Sequence, residues 1–278
     1  MMIEVIDRIP TYPGRVKLVP VAGQANTYDM VRADAPIEAG TPINKALFDG
    51  IATVIEATVH AVDNKLFELA QRVTVGSLAV GSVFGLYENG VLMPYIKISA
   101  NYKNTGRAFI LRMDCVKMDT LVSESESAAY AGCKTDRWLT NDFYNTLDVA
   151  TQSVLSETTI SIGDSSTIKR KVFLLDATEY GFFGLTSYNS NSVVAEYFDK
   201  NPGRIPAKHN GTVVQQWTRA SSASSKRANA ISTTGTLLEL SAVTEQAGIR
   251  PAMTLPADFT VIAGMPNAAN TVATAEVI

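Results

Sequence analysis

The stretch TPINKALFDGIATVIEATVHAVDNKLFELAQRV, residues 41–73, decides the reading of the fold. Thr41 offers an N-cap hydroxyl, Pro42 suits the first helical position, and no proline follows as far as Val73. Phe48, Ile51, Ile55, Val59, Val62, Leu66, Leu69 and Val73 recur at steps of three and four. That period predicts one amphipathic helix of about 26 residues, roughly 39 Å long. Two arrangements satisfy the stripe: a helix packed on its own domain, or a seam between identical chains. The β-branched Ile51, Ile55, Val59 and Val62 are of the kind common in trimeric coiled coils, whereas Gly50 and Thr58 weaken the helix locally. The spacing is not a strict heptad, so a homo-oligomer is expected without its order being fixed by the stripe.

On the N-terminal side the pattern is loop and short strand. Val16 to Val21 reads as a strand, and Pro10, Pro13, Pro20 and Pro36 punctuate the rest. On the C-terminal side it turns to strands separated by Gly and Asn. Ser82 to Tyr87, Val91 to Ser99 and Ala108 to Val116 have strand composition, with Asn89-Gly90 as a hairpin signal between the first two. Asp136 to Ala150 reads as a helix with Trp138, Leu139, Phe143 and Leu147 on one side. Lys171 to Leu175, Val213 to Arg219, Ala230 to Ser232, Thr236 to Leu240 and Ile249 to Leu255 read as strands, and Ser192 to Phe198 as a short helix or turn.

Composition narrows the function classes. The chain has 278 residues, 46% hydrophobic and only 18% charged, with a formal net charge of −3. A core of ordinary size is within reach, and solubility leans on hydroxyl and amide side chains. Such a surface suits assembly or contact with sugars, and the near-zero balance speaks against a general nucleic-acid binder. Glu4 and Asp7 stand where a signal peptide needs basic residues, and no uncharged stretch reaches bilayer length, so neither secretion nor membrane insertion is expected. Cys115 and Cys133 lack the Cys-x-x-Cys spacing and read as reduced thiols, although a disulfide stays open for a particle released outside the cell.

Signatures of chemistry are sparse. His60 and His209 belong to no metal-ligand cluster, and there is no phosphate loop, dinucleotide fingerprint or nucleophile elbow. Asp136 with Asp142, or Glu124 with Glu126, could be drawn as acid and base, but carboxylates this common pair by chance. No catalytic residue, cofactor or metal is assigned. One local excess stands out: from Asp199 to Arg227, Lys200, Arg204, Lys208, Arg219, Lys226 and Arg227 face a single acid. That run reads as a solvated loop face or as a patch for phosphate-bearing glycans.

Two segments carry a resemblance. Arg15, Leu18, Pro20, Tyr28, Arg32, Ala33, Asp34, Pro36 and the Gly40-Thr41-Pro42-Ile43-Asn44 ending resemble the N-terminal segment of bacteriophage and prophage tail-fibre and baseplate proteins. Trp138-Leu139 with Asp142-Phe143-Tyr144, Lys171 to Leu175, Trp217-Thr218-Arg219 and Gly248-Ile249-Arg250-Pro251-Ala252 are similar to C-type-lectin-like domains. That fold is shared with formylglycine-generating-enzyme-like and phage tropism-determinant proteins. Gln216 and Thr218 depart from the aromatic and Leu often found beside that Trp, and the catalytic cysteine pair of the formylglycine enzymes has no match.

The resemblance implies an α+β chain in three parts. Residues 1–40 would attach to the virion, 41–75 would form an oligomerisation helix, and 76–278 would be a C-type-lectin-like, mainly β domain with one or two short helices. A trimer located in the virion tail is implied, with other tail or baseplate proteins and a bacterial surface glycan or protein as partners. Loops between core strands are the display surface in such families. Here these correspond to Ser187–Asn191, Asn201–Gly211 and Ala220–Asn229. The contact candidates are Tyr188, Asn189, Asn191, Arg204, Lys208, His209, Asn210, Ser222, Ser225, Lys226 and Arg227. A purely structural baseplate or tail-tip protein is the alternative, and an enzyme cutting surface polysaccharide ranks behind both. Trp217 reads as core, and Arg250 as a residue pairing with a buried carboxylate or capping loop carbonyls.

Overall fold

The computed structural model describes residues 9–10, 16–32, 36–38, 45–126, 129–162, 166–182, 192–199, 202, 206–222, 226–266 and 272–273. The chain divides into two compact units, residues 1–66 and 67–278. The fold class is α+β, mostly β-sheet with short helical pieces beside one long helix.

In the first unit Val16–Pro20 pairs antiparallel with Tyr28–Arg32, as the sequence leads one to expect for the first of these strands. Helix α1, Lys45–Ala70, then follows. The expected cap at Thr41-Pro42 lies outside the described residues. Phe48, Ile55, Val59, Val62, Leu66 and Leu69 are each at least 50% exposed, and Ile51 is 37% exposed. The stripe ends earlier than its period suggests. After Ala70 the β-branched Val73 and Thr74 join the strand Arg72–Thr74, and Val73 lies opposite Val261. Sheet pairing with a distant segment overrides the local helical period there.

Among the described residues the second unit holds two large sheets and three two-stranded ones. The first has seven strands, in the order Val172–Phe173, Ala252–Pro256, Arg107–Arg112, Val91–Ser99, Val83–Glu88, Thr260–Ala263, Arg72–Thr74. Every pairing in it is antiparallel, and the pairing of Arg72–Thr74 with Thr260–Ala263 brings the two ends of the unit together. Its central hairpin turns at Asn89-Gly90, whose φ values of 49° and 77° are the left-handed pair that a two-residue turn requires. The second sheet runs Leu237–Ser241, Arg227–Ile231, Gln216–Ser222, Ala247–Ile249, Lys117–Asp119. Its single parallel pairing sets Gln216 beside Gly248.

Four sequence expectations fail in detail, the first three of them for a tertiary reason. The helix expected over Asp136 to Ala150 is broken into α2 (Lys134–Trp138), a wide turn at Leu139–Phe143, a tight turn at Tyr144–Thr146 and α3 (Val149–Val154). Leu147 leaves the helical path to bridge Glu88, and Asp148 restarts the helix by accepting the Thr151 N–H at 2.8 Å. The expected strand Ala108 to Val116 stops at Arg112, and Ile249 to Leu255 splits at Arg250-Pro251. Both breaks are crossings between the sheets: one chain passes from Arg107–Arg112 to Lys117–Asp119, the other from Ala247–Ile249 to Ala252–Pro256. Val213 to Arg219 likewise becomes two strands, Thr212–Val214 and Gln216–Ser222.

The core of the second unit includes Phe84, Tyr95, Phe109, Phe143, Phe173, Phe198 and Trp217, all fully buried. Trp217 is core, as read from the sequence, and its indole N–H donates to the Asp119 carbonyl at 2.8 Å.

Candidate functional site

The frame of the second unit rests on two buried arginines. Arg250 sits at one sheet crossing and donates to the carbonyls of Arg112 (Nε, 2.7 Å) and Met113 (Nη2, 2.6 Å) at the other. One guanidinium therefore ties both crossings, with Gln216 Oε1 at 3.3 Å from Nη1. The carbonyl cap, one of the two roles read for Arg250, is seen directly. Beside it Gly248 is required for close approach: a Cβ there would lie 2.2 Å from Cys115 Sγ. Both cysteines are free and buried, and burial pushes each thiol up to about 11.

Arg219 is the second anchor. Its Nε donates to the Ser161 carbonyl at 2.9 Å and its Nη1 to the Leu174 carbonyl at 2.7 Å. The same guanidinium grips Glu179 with two parallel bonds of 2.6 and 2.8 Å, and both side chains are wholly buried. The Tyr102 hydroxyl and the Asp176 N–H also donate to Glu179. Burial opposes the charge on Arg219, and the Glu179 carboxylate outweighs it, raising the guanidinium's pKa above its ordinary value. Sequence reasoning missed Glu179 and Asp176; the signal available was Asp-x-x-Glu between an apolar strand and Tyr180.

Asp176 is the unbalanced member of this cluster. Burial, with the Glu179 charge, outweighs the nearby Arg219 and raises its carboxyl above the ordinary carboxylate range. A raised folded pKa means that the native state binds this proton more tightly than the unfolded chain. The associated stability is full below the unfolded value and is lost as pH rises through the folded one. Asp176→Asn keeps an acceptor for the Thr178 N–H, now 2.9 Å from Oδ1. We expect it to raise the melting temperature at pH 7 to 8, with the gain vanishing towards pH 4, as calorimetry across pH will read.

The expected contact residues fare unevenly. Tyr188, Asn189, Asn191, Arg204 and Ser225 lie outside the described residues, as does the side chain of Ser222. Lys208, His209 and Asn210 come together on the hairpin Ala207–His209/Thr212–Val214, which turns at Asn210-Gly211 with φ of 50° and 79°. His209 Nδ1 lies 3.3 Å from the Cys115 carbonyl, so this imidazole is partly engaged by the domain itself. Ser222, Lys226 and Arg227 share the tip of a second hairpin, where Ser222 pairs with Arg227.

Among the described residues the basic run is divided. Arg219 is buried against Glu179, and Arg227 pairs with Glu239 at 2.9 Å on the surface. Lys200 and Arg204 lie outside the described residues; among those described, Lys208, Lys226 and Arg227 are the run's exposed cations, and of these Arg227 is in the ion pair just named. Lys226 Nζ also donates to the Glu124 carbonyl at 3.2 Å. Among the described residues no group of three or more His, Cys, Asp or Glu is placed to hold a metal ion, and no helix is long and apolar enough to cross a membrane.

The segment that carries both anchors is the segment a family shares. The family described as Domain of unknown function (DUF6273) matches residues 105–257, more than half of the chain, and the chain belongs to it. That span runs from just before Arg107–Arg112 to just beyond Ala252–Pro256, so it contains Arg219, Glu179, Arg250 and both hairpins. Neither curated proteins nor solved structures give a match.

Proposed function

We propose that this chain is a bacteriophage-type tail component, of fibre or baseplate, that assembles through α1 and binds a bacterial surface through hairpin tips of its second unit. The unit is read as C-type-lectin-like, and the mode of action is adsorption, not turnover. The observation that carries the proposal is the stripe of α1, whose seven apolar residues from Phe48 to Leu69 are 37–61% exposed in the single chain. Apolar surface of that extent and regularity is covered in an assembled protein. Ile and Val at successive seam positions suit three strands better than two. The step from Ile55 to Val59 is four where the alternation calls for three, an inserted stutter that locally unwinds a supercoil. At that step the Thr58 hydroxyl bonds back to the Val54 carbonyl at 2.8 Å.

The second unit supports the display role in another way. Arg219 and Arg250 are spent inside on carbonyls and Glu179, which ties the frame together, and Lys208, Asn210 and Lys226 stand exposed at turns. Weak single contacts become durable when several copies engage one surface. The engagement of Arg227 with Glu239 and of Lys226 with Glu124 favours the second reading, a structural tail protein whose tips only brace the domain.

Adsorption of the labelled full chain to a panel of intact bacterial strains tests the choice. The expected result is retention by at least one strain, weakened by the paired change Lys208→Glu and Lys226→Glu with circular dichroism unchanged. A folded chain retained by no strain supports the structural reading. Retention indifferent to both changes overturns the assignment of contact to the tips. Deleting a whole hairpin is not a clean test, because Ala228 and Ala230 are buried in the second sheet.

A further inference from the structure

The second unit carries a cleft of about 430 Å³ that none of the expected contact residues lines. It opens between the strands Val83–Glu88 and Thr260–Ala263 and the start of α3. Its volume falls in the range of small-molecule sites, about 300–1,000 Å³. Leu86, Val154 and Phe259 give it apolar walls, and six polar side chains stand among them: Arg72, Tyr87, Asp148, Thr151, Asp258 and Thr260.

Those groups are available for a ligand. Arg72 and Asp258 are exposed, and among the described residues neither belongs to an ion pair. Asp148 uses Oδ1 to cap the Thr151 N–H at 2.8 Å, which leaves its other oxygen for a further donor. Tyr87 donates its phenol hydrogen to Glu68, so its oxygen is an acceptor towards anything else. Thr151 lines the cleft too, and its buried hydroxyl has no hydrogen-bond partner. A buried hydroxyl without a partner costs about 1–3 kcal/mol, and a hydroxylated ligand or a water seated beside it removes that cost.

The chemistry of the lining selects among ligands. Two carboxylates and one guanidinium make it net negative, which disfavours phosphate-bearing or uronic glycans. Carboxylate acceptors, one forked donor, three hydroxyl-bearing side chains and an aromatic wall match a ring with hydroxyls at its rim and C–H groups on its face. We propose that this cleft binds a neutral hexose or N-acetylhexosamine unit of a surface saccharide. The inference rests on the surface-binding reading above and names the ligand class that reading leaves open.

The test uses the full chain and an array of neutral hexose and N-acetylhexosamine oligosaccharides with their uronic and phosphorylated counterparts. Binding of neutral members, quantified by calorimetry on the best of them, is the expected result. Arg72→Ala and Asp258→Asn, both at exposed positions, should each weaken it by at least about tenfold. Thr151→Val separates a contact from a structural role: it should weaken saccharide binding while raising the melting temperature of the free protein. Preference for the acidic members, or affinity unmoved by all three changes, overturns the proposal. Adsorption to strains with no binding of any neutral saccharide sinks the cleft and spares surface binding. Cleft-dependent saccharide binding without adsorption to any strain does the reverse.

Discussion

Arg219→Met is expected to destabilise the second unit by about 3–5 kcal/mol, the usual loss when one partner of a buried ion pair is removed. The reason lies in what remains behind. Glu179 would stay fully buried with, among the described residues, the Tyr102 hydroxyl and the Asp176 N–H as donors, and Asp176 would add a second carboxyl beside it. The carbonyls of Ser161 and Leu174 would lose their donors in the same step. Arg219→Lys should recover little, because an ammonium cannot form two parallel bonds to Glu179 while reaching two carbonyls. Arg219→Met with Glu179→Met should recover much of the loss, since paired removal leaves no orphan charge. Urea unfolding reads all three. A single-variant effect below about 0.5 kcal/mol, the level of an ordinary surface change, would mean that this pair does not hold the frame.

The second large effect concerns α1. If copies meet along α1 as proposed, Ile55→Asp with Val62→Asp is expected to abolish self-association, because each places a carboxylate in the proposed seam of every copy. Both side chains are half exposed in the single chain, so neither change reaches the core of the second unit. The melting of that unit should therefore be unchanged. Retention on a surface should fall by about 10²–10⁴, the factor that linked binding modules contribute. Unchanged retention would show that copies act singly.

Local chemistry decided what could be read in advance. The turn at Asn89-Gly90 was legible because positive φ at both positions is a property of those two residues. Helix α1 was legible because its stripe repeats over many turns without a competing partner. Its end was not, since Val73 is drawn into a strand by Val261, far along the chain. The same holds for the break at Leu147, which depends on Glu88. Trp217 and Arg250 could be assigned to the frame from residue type alone, but the acid that Arg219 grips lies 40 residues away, and no spacing rule reaches it. Counting charges misjudged the run from Asp199 to Arg227, because a count does not register that Arg219 is buried. The cleft was beyond sequence reasoning altogether: Arg72, Asp148 and Asp258 meet only through the sheet order.

Sedimentation equilibrium of the unmodified full chain at micromolar concentration tests the seam most directly, since display by several copies depends on it. The expected mass is three times the 29.9 kDa of one chain. A mass of one chain across the whole concentration range would contradict the seam, and with it the proposal that α1 gathers these domains on a tail.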